Sequence, residues 1–285
     1  MPVGKPPILA VSSWSLHRTI GWTWWDRPAL AGPPERLGDG GDLAILDLPA
    51  ALARRGFDRL HLCHFHVARR DQAWFGEFRA ALAEAGVRLT VLLIDDGDIG
   101  HPADARRDID WIAGWIDDAA ALGAEAARVI AGKQKPSPAA LDRSVAGLAE
   151  LSRRGADQGV HIITENWFDL TAGATEVNAI LDRLDGSVGL IADFANWKAP
   201  AKYGDLAAIF GRATDAHATC YFPMPQVMDT HDYGRILGIA GQAGYAGPYT
   251  LIYNGPSDDE WQAIEMEREF VLGYFAAGAR RAATG

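Results

Sequence analysis

Apolar and polar positions follow two alternating rhythms along this chain. Eight short runs of mostly apolar and β-branched residues recur at fairly even intervals: ILAVSS (8–13), RLHLCH (59–64), RLTVLLI (88–94), ARVIA (127–131), HIITEN (161–166), GLIAD (189–193), DAHATCY (215–221) and YTLIY (249–253). Runs of this length and composition predict strands. Between them, apolar residues stand three or four apart, as at Trp74, Phe78 and Leu82, or at Leu141, Val145, Leu148 and Leu151, which is the spacing of an amphipathic helix. In EAGVRL, ALGAEAARV and QAGYAGPYTL a glycine closes the helical segment just before the next strand, as a C-cap does.

Strand and helix taking turns in this way imply parallel strands joined by crossover helices. Eight such units in 285 residues match a (β/α)₈ TIM barrel, whose usual size is ~250 residues. With no Pro/Ser-rich linker or shift in composition, residues 1–285 are expected to form a single TIM-barrel domain. An open doubly wound sheet is the alternative, and it is disfavoured because AVSSWSLHR, not a G-x-G-x-x-G turn, follows the first strand. The long first connection, 15–46, holds Trp22, Trp24, Trp25, three prolines and five glycines. It is expected to form either a lid or pocket wall over the barrel mouth, or a packed cover on one barrel end. The last helix, 258–282, carries Trp261, Ile264, Val271, Tyr274 and Phe275 on a stripe expected to meet the core.

Composition narrows the partners. Acidic residues outnumber basic ones 37 to 27, so a net charge of −10 repels nucleic-acid backbones and anionic membranes. The substrate is therefore expected to be a small molecule. Only Cys63 and Cys220 occur, which leaves no disulfide framework or cysteine zinc cluster and fits a reduced, cytoplasmic setting. The start MPVGKPPILAVSS reads as neither signal peptide nor membrane span. A homo-oligomer is compatible with this fold.

A parallel barrel gathers the C-terminal ends of its strands around one mouth, so polar residues there converge however far apart they lie in sequence. Strand five ends in Glu165, strand six ends in Asp193, and strand seven carries His217. Two carboxylates and one imidazole suit a divalent metal such as Mn²⁺, Mg²⁺, Co²⁺ or Zn²⁺ and leave coordination positions open. Each residue taken singly also reads as a strand-end cap or hydrogen-bonding group. His64 and His66 close strand two, where either can act as a base or as a donor to a hydroxyl. An H-x-H pair on a strand also turns both rings to one face, which can hold metal, whereas His61 reads as structural. Asn196 follows Asp193 by three residues and can hydrogen-bond a sugar hydroxyl. Trp14, His17, Trp167 and Trp197 stand just past strand ends as candidates for an aromatic wall. Arg128 and the GKQK segment after it (132–135) are candidates for meeting an anionic group.

At ITENW, IADFANW, DAHATCYF and GYAGPYTLIYNG the chain resembles the xylose isomerase-like TIM barrels, a group that includes sugar-phosphate isomerases and epimerases, ketose 3-epimerases and an endonuclease branch. SSWSLHR, CHFH and LLIDDGDI add to the likeness, which spans nearly the whole chain. The resemblance implies a divalent metal held by a glutamate, an aspartate, a histidine and a second glutamate from strands five to eight. Two of those glutamates would move a proton beside a hydroxy-carbonyl. Glu165, Asp193 and His217 match three of the four positions, and Ile252 stands at the fourth. Thr219 occupies a place where relatives often carry lysine, and Asn196 one where relatives carry histidine, which together with the acidic balance speaks against the endonuclease branch. Isoleucine removes one ligand and one base together. Three readings stay open: a metal held by three side chains and water with help from Asn254, a metal-free barrel turned to elimination or rearrangement, or a non-catalytic binding protein.

Overall fold

The chain, seen in a computed structural model, is described over residues 6–284. Residues 1–5 and 285 lie outside that span, so the reading of the N-terminus as free of a signal peptide, and the outer limits of the 1–285 domain, fall partly on undescribed residues. Ten strands are present among the described residues: β1 (Leu9–Ser12), β2 (Thr23–Trp25), β3 (Glu35–Leu37), β4 (Arg59–Cys63), β5 (Arg88–Leu93), β6 (Ala126–Arg128), β7 (His161–Glu165), β8 (Gly189–Asp193), β9 (Asp215–Cys220) and β10 (Tyr249–Tyr253). Eight of them close into a barrel in the order β1-β10-β9-β8-β7-β6-β5-β4, every neighbouring pair parallel. The fold is a (β/α)₈ TIM barrel, as the rhythm of apolar runs predicts. No described helix is long and apolar enough to cross a membrane.

Local signals set the helix ends. Asp71 caps the helix Gln72–Ala85 by accepting a hydrogen bond from the Trp74 amide at 2.9 Å, and Gly86 ends it in the left-handed region. Ser137 and Pro138 open the helix Pro138–Gln158 in the same spirit, and Gly159 closes it. The predicted stripes face inward. Trp74, Phe78, Leu82, Leu148 and Leu151 are buried between helix ring and barrel, in the main apolar core.

The first connection has strands of its own. It holds a two-stranded antiparallel hairpin, β2–β3, too short and too exposed to show in the apolar pattern. Asp26 pins this strap to the outside of the barrel, accepting hydrogen bonds from the Trp115 indole at 2.9 Å and from Arg70 at 3.2 Å. Gly21 lets the strap fold on itself, since a Cβ there would stand 2.2 Å from the Gly40 backbone.

Strand register decides what meets inside the barrel. Asp193 lies opposite His217, His217 opposite Thr250, and Thr219 opposite Ile252. Because successive side chains point to opposite faces, Asp215, His217 and Thr219 share the inner face of β9. Three strands distant in sequence are thereby brought to one spot.

The last helix, Glu260–Thr284, buries Ile264, Glu267 and Val271 on one face. Glu267 is fully buried and neither carboxyl oxygen has a well-formed hydrogen bond, so burial pushes its pKa well above the usual carboxylate range, with only partial relief from the Cys220 backbone. A carboxyl raised on folding stabilises nothing by ionising. As pH climbs above its unfolded value of ~4.3, the folded state loses stability by about 1.4 kcal/mol per pH unit until the folded pKa is reached. Glu267→Leu is therefore expected to raise the melting temperature more at pH 8 than at pH 5; an equal shift at both, measured by calorimetry, would contradict this placement of the charge.

Candidate metal centre

Glu165, Asp193 and His217 meet at the C-terminal mouth of the barrel. One ligand atom from each lies within 4.8 Å of the other two, and all three residues are buried. His217 Nδ1 stands 3.3 Å from Glu165 Oε1 and 3.8 Å from Asp193 Oδ2. Neighbours hold each carboxylate in place. Asp193 Oδ1 accepts the backbone N–H groups of Ala195 and Asn196 at 2.7 and 2.9 Å, and Oδ2 accepts the Thr219 hydroxyl at 2.9 Å. Asn166 clamps the same strand end, accepting from the Asp193 amide at 2.7 Å and donating to the Asp193 carbonyl at 3.2 Å. The Asn196 side chain donates to Glu165 Oε1 at 3.0 Å.

A buried arginine adds the first counter-charge. Arg128, at the end of β6, places Nε 3.2 Å from Glu165 Oε2 and pairs through Nη2 with Asp95. Its guanidinium also lies over the Trp167 ring at 4.8 Å. The anion this arginine meets is thus a pair of the protein's own carboxylates.

The pKa directions report the crowding of charge. Burial, then repulsion from Glu165, pushes Asp193 up to about 6. Burial would raise Glu165 too, but His217 and Arg128 outweigh it and hold its carboxyl below the usual range. Burial would lower His217, yet Glu165, Asp193 and Asp215 together raise it. Asp95, Glu165 and Asp193 set three acidic groups in the cavity lining against the buried Arg128 guanidinium and the Lys198 side chain. Two hard carboxylates and one imidazole nitrogen, converging and starved of positive charge, fit such an ion.

Above this floor opens a cavity of about 540 Å³. Trp14, Trp167, Asn196, Arg128, Asn254, Thr219 and Ile252 all line it. Since barrel neighbours follow chain order, its wall divides in two. Arg128, Glu165, Asp193 and His217 come from the consecutive strands β6 to β9, while Ile252, Trp14 and Phe65 belong to β10 and to the ends of β1 and β4.

Several expected site residues lie elsewhere. His64 and His66 are past the end of β4, in a 3₁₀ turn (His64–His66), so strand alternation does not govern their rings. His64 packs edge-on against Trp111 and Trp115, accepts the Asp95 amide at 3.1 Å and faces the Asp26 carbonyl at 3.2 Å. His66 is buried against the Ser13 hydroxyl at 2.8 Å, and burial pushes its pKa down to about 3. Neither ring lines the cavity. His17 stacks on Trp14 at 4.6 Å and turns Nδ1 to the Trp14 carbonyl, while the Trp197 indole donates to the Thr171 carbonyl at 2.8 Å. Both support the wall from behind. Lys133 of the GKQK segment pairs with Asp96, and Gln134 donates to Asp98 at 2.7 Å. No residue of 15–46 lines the cavity, and Asp26 ties the strap to the Trp115 indole and to His64 in the turn after β4. Asp95, Phe65 and Lys198 line the cavity without having been singled out. Asp95 had a legible signal, a carboxylate directly after the apolar run of β5.

Residues 49–270 match the family model described as a xylose isomerase-like TIM barrel. No curated protein matches the chain. Among solved structures, an L-ribulose 3-epimerase superposes with a TM-score of 0.70 at 17% identity, over 98% of this chain and 97% of that one. A D-allulose 3-epimerase from Methylomonas sp. gives 0.68 at 16% identity, over 96% and 100%. A xylose isomerase-like TIM barrel protein from Mycobacterium smegmatis in complex with magnesium gives 0.65 at 18% identity, over 96% and 98%. At such identities the likeness is one of fold.

Removing Arg128 would leave Asp95 and Glu165 without their shared cation. Breaking a buried pair in this way costs about 3–5 kcal/mol. Arg128→Met is expected to lose that much in urea unfolding; a loss under about 1 kcal/mol, the scale of an exposed pair, would show that the guanidinium is not buried as described.

Proposed function

This chain belongs to the xylose isomerase-like TIM barrels, and from that premise we propose that it is a divalent-metal-assisted enzyme of isomerase or epimerase type. Its substrate is a small polyhydroxylated compound bearing a carbonyl, and the reaction moves a proton at the carbon beside it. The observation that carries this reading is the buried convergence of Glu165, Asp193 and His217 within 4.8 Å. The two 3-epimerases of like fold, named for ketose sugars, support the substrate class.

Glu165, Asp193 and His217 would hold the metal. Bound there, the ion supplies positive charge that polarises a carbonyl or hydroxyl oxygen and steadies the negative charge formed on it. Asn196 and Asn254 offer amide groups to hydroxyls from the cavity wall. Glu165 faces both the cavity and the slot, and it is the proton acceptor in this reading, its pKa held down by His217 and Arg128. Trp14, Phe65 and Ile252 exclude water on the other side.

The divided wall shapes the chemistry. Every charged side chain of the lining belongs to β5–β9 or to the turns that follow them, and Ile252 faces the substrate with hydrocarbon. Inverting a carbon by two opposed bases needs a group on each side, whereas isomerisation needs a proton taken and returned on one. One-sided transfer is what this wall supports. The same wall supports elimination of a hydroxyl after proton removal, which is the second reading. Arg128 does not take the place of a metal, since its ion pairs go to Asp95 and Glu165.

Purified protein is expected to bind close to one equivalent of Mn²⁺, Mg²⁺, Co²⁺ or Zn²⁺. At 100 times the dissociation constant the metal would stabilise the fold by about 2.7 kcal/mol. Glu165→Gln and His217→Ala should abolish that gain in a thermal-shift assay, and no gain in the unaltered protein would refute the metal reading. Ile252, only 8% exposed and facing the cavity, provides the converse test. Ile252→Glu should tighten metal binding with the fold intact; unchanged affinity in the folded variant would show that position 252 does not face the slot.

A further inference from the structure

Beneath the cavity, a second set of buried polar groups leads away from His217. His217 Nε2 lies 3.2 Å from His61 Nδ1. His61 Nε2 in turn lies 3.2 Å from Thr250 Oγ1 and 3.4 Å from Asp215 Oδ2, and the Thr250 hydroxyl donates to Asp215 Oδ1 at 3.0 Å. His61 and Thr250 are fully buried and Asp215 is 6% exposed. None of the three lines the cavity, so they do not touch a substrate there.

We propose that His61 and Asp215 are positioning residues that hold His217 with Nδ1 turned to the Glu165–Asp193 slot, and that divalent-metal affinity depends on them. The inference rests on the metal reading above and extends it to residues outside the ligand set. Proton accounting supports it. When Nδ1 gives its lone pair to a cation, the neutral imidazole carries its proton on Nε2, which then needs an acceptor in a place without water. His61 Nδ1 is that acceptor. Neutral His61 must then carry its own proton on Nε2, where Asp215 Oδ2 and the Thr250 oxygen wait to receive it. Thr250 has spent its single proton on Asp215, so its oxygen is free to accept. Each donor finds an acceptor and the chain ends on a carboxylate.

Strand register builds this support into the barrel. Thr250 is the ladder partner of His217, and Asp215 shares the inner face of β9 with it. Along β4 and β5 the pairing slips by one residue between Leu60 and His61. Such slips re-aim side chains, and this one occurs where an imidazole turns into the barrel.

The test is Mn²⁺ affinity by isothermal titration calorimetry, with metal-free melting temperature as the control for folding. Loss of an outer partner of this kind weakens metal binding by about 10–100-fold. His61→Leu, which removes the acceptor, is expected to show that loss, while His61→Asn, whose carbonyl oxygen can replace Nδ1, should stay close to the unaltered protein. Asp215→Asn keeps the shape, removes the charge, and should weaken binding in the same direction. A folded His61→Leu that binds Mn²⁺ as tightly as the unaltered protein, or His61→Asn as weak as His61→Leu, overturns the proposal. If His61→Leu does not fold, undiminished affinity in Asp215→Asn overturns it. Unaltered protein that binds no Mn²⁺ overturns this proposal together with the metal reading, so the two failures are told apart.

Discussion

Like charges are held together here where water cannot separate them. Glu165 and Asp193 are both buried and both aimed at His217 Nδ1, although taking an ion out of water costs several kcal/mol. Much of the surrounding structure answers that cost. Arg128 offsets part of the charge, the backbone amides after β8 and the Thr219 hydroxyl hold Asp193, and Asn166 locks the strand end that carries it. What remains is a deficit of positive charge in a slot of ligand-atom size.

Legibility in the sequence followed the reach of local rules. Each of the eight barrel strands overlaps an apolar run, because continuous apolarity is what a doubly covered parallel strand requires. Glu165, Asp193 and His217 were legible because each lies within its strand, where alternation and register dictate direction. His64, His66 and Trp197 lie one to four residues beyond a strand, where the chain has already turned, and their rings went to structural partners. Pairings across the barrel left no local trace at all. Nothing near Arg128 announces Asp95 and Glu165 as its partners, and nothing near His61 announces His217, since both depend on the order in which the ring of strands closes.

By resemblance Ile252 stands where a second glutamate is expected, and in the fold it extends an apolar arc that includes Trp14 and Phe65. The opposite arc concentrates charge. The β10–β1–β4 arc is largely hydrocarbon, broken by the Asn254 amide and the Ser12 hydroxyl, while the charged side chains of the lining stand on the other arc.

The most direct measurement of this account is an anomalous-difference map from crystals soaked with Mn²⁺. The account predicts one strong peak between Glu165, Asp193 and His217 Nδ1, at about 2.0–2.3 Å from each donor. A map with no peak there, or with its peak at His64 and His66, would contradict it.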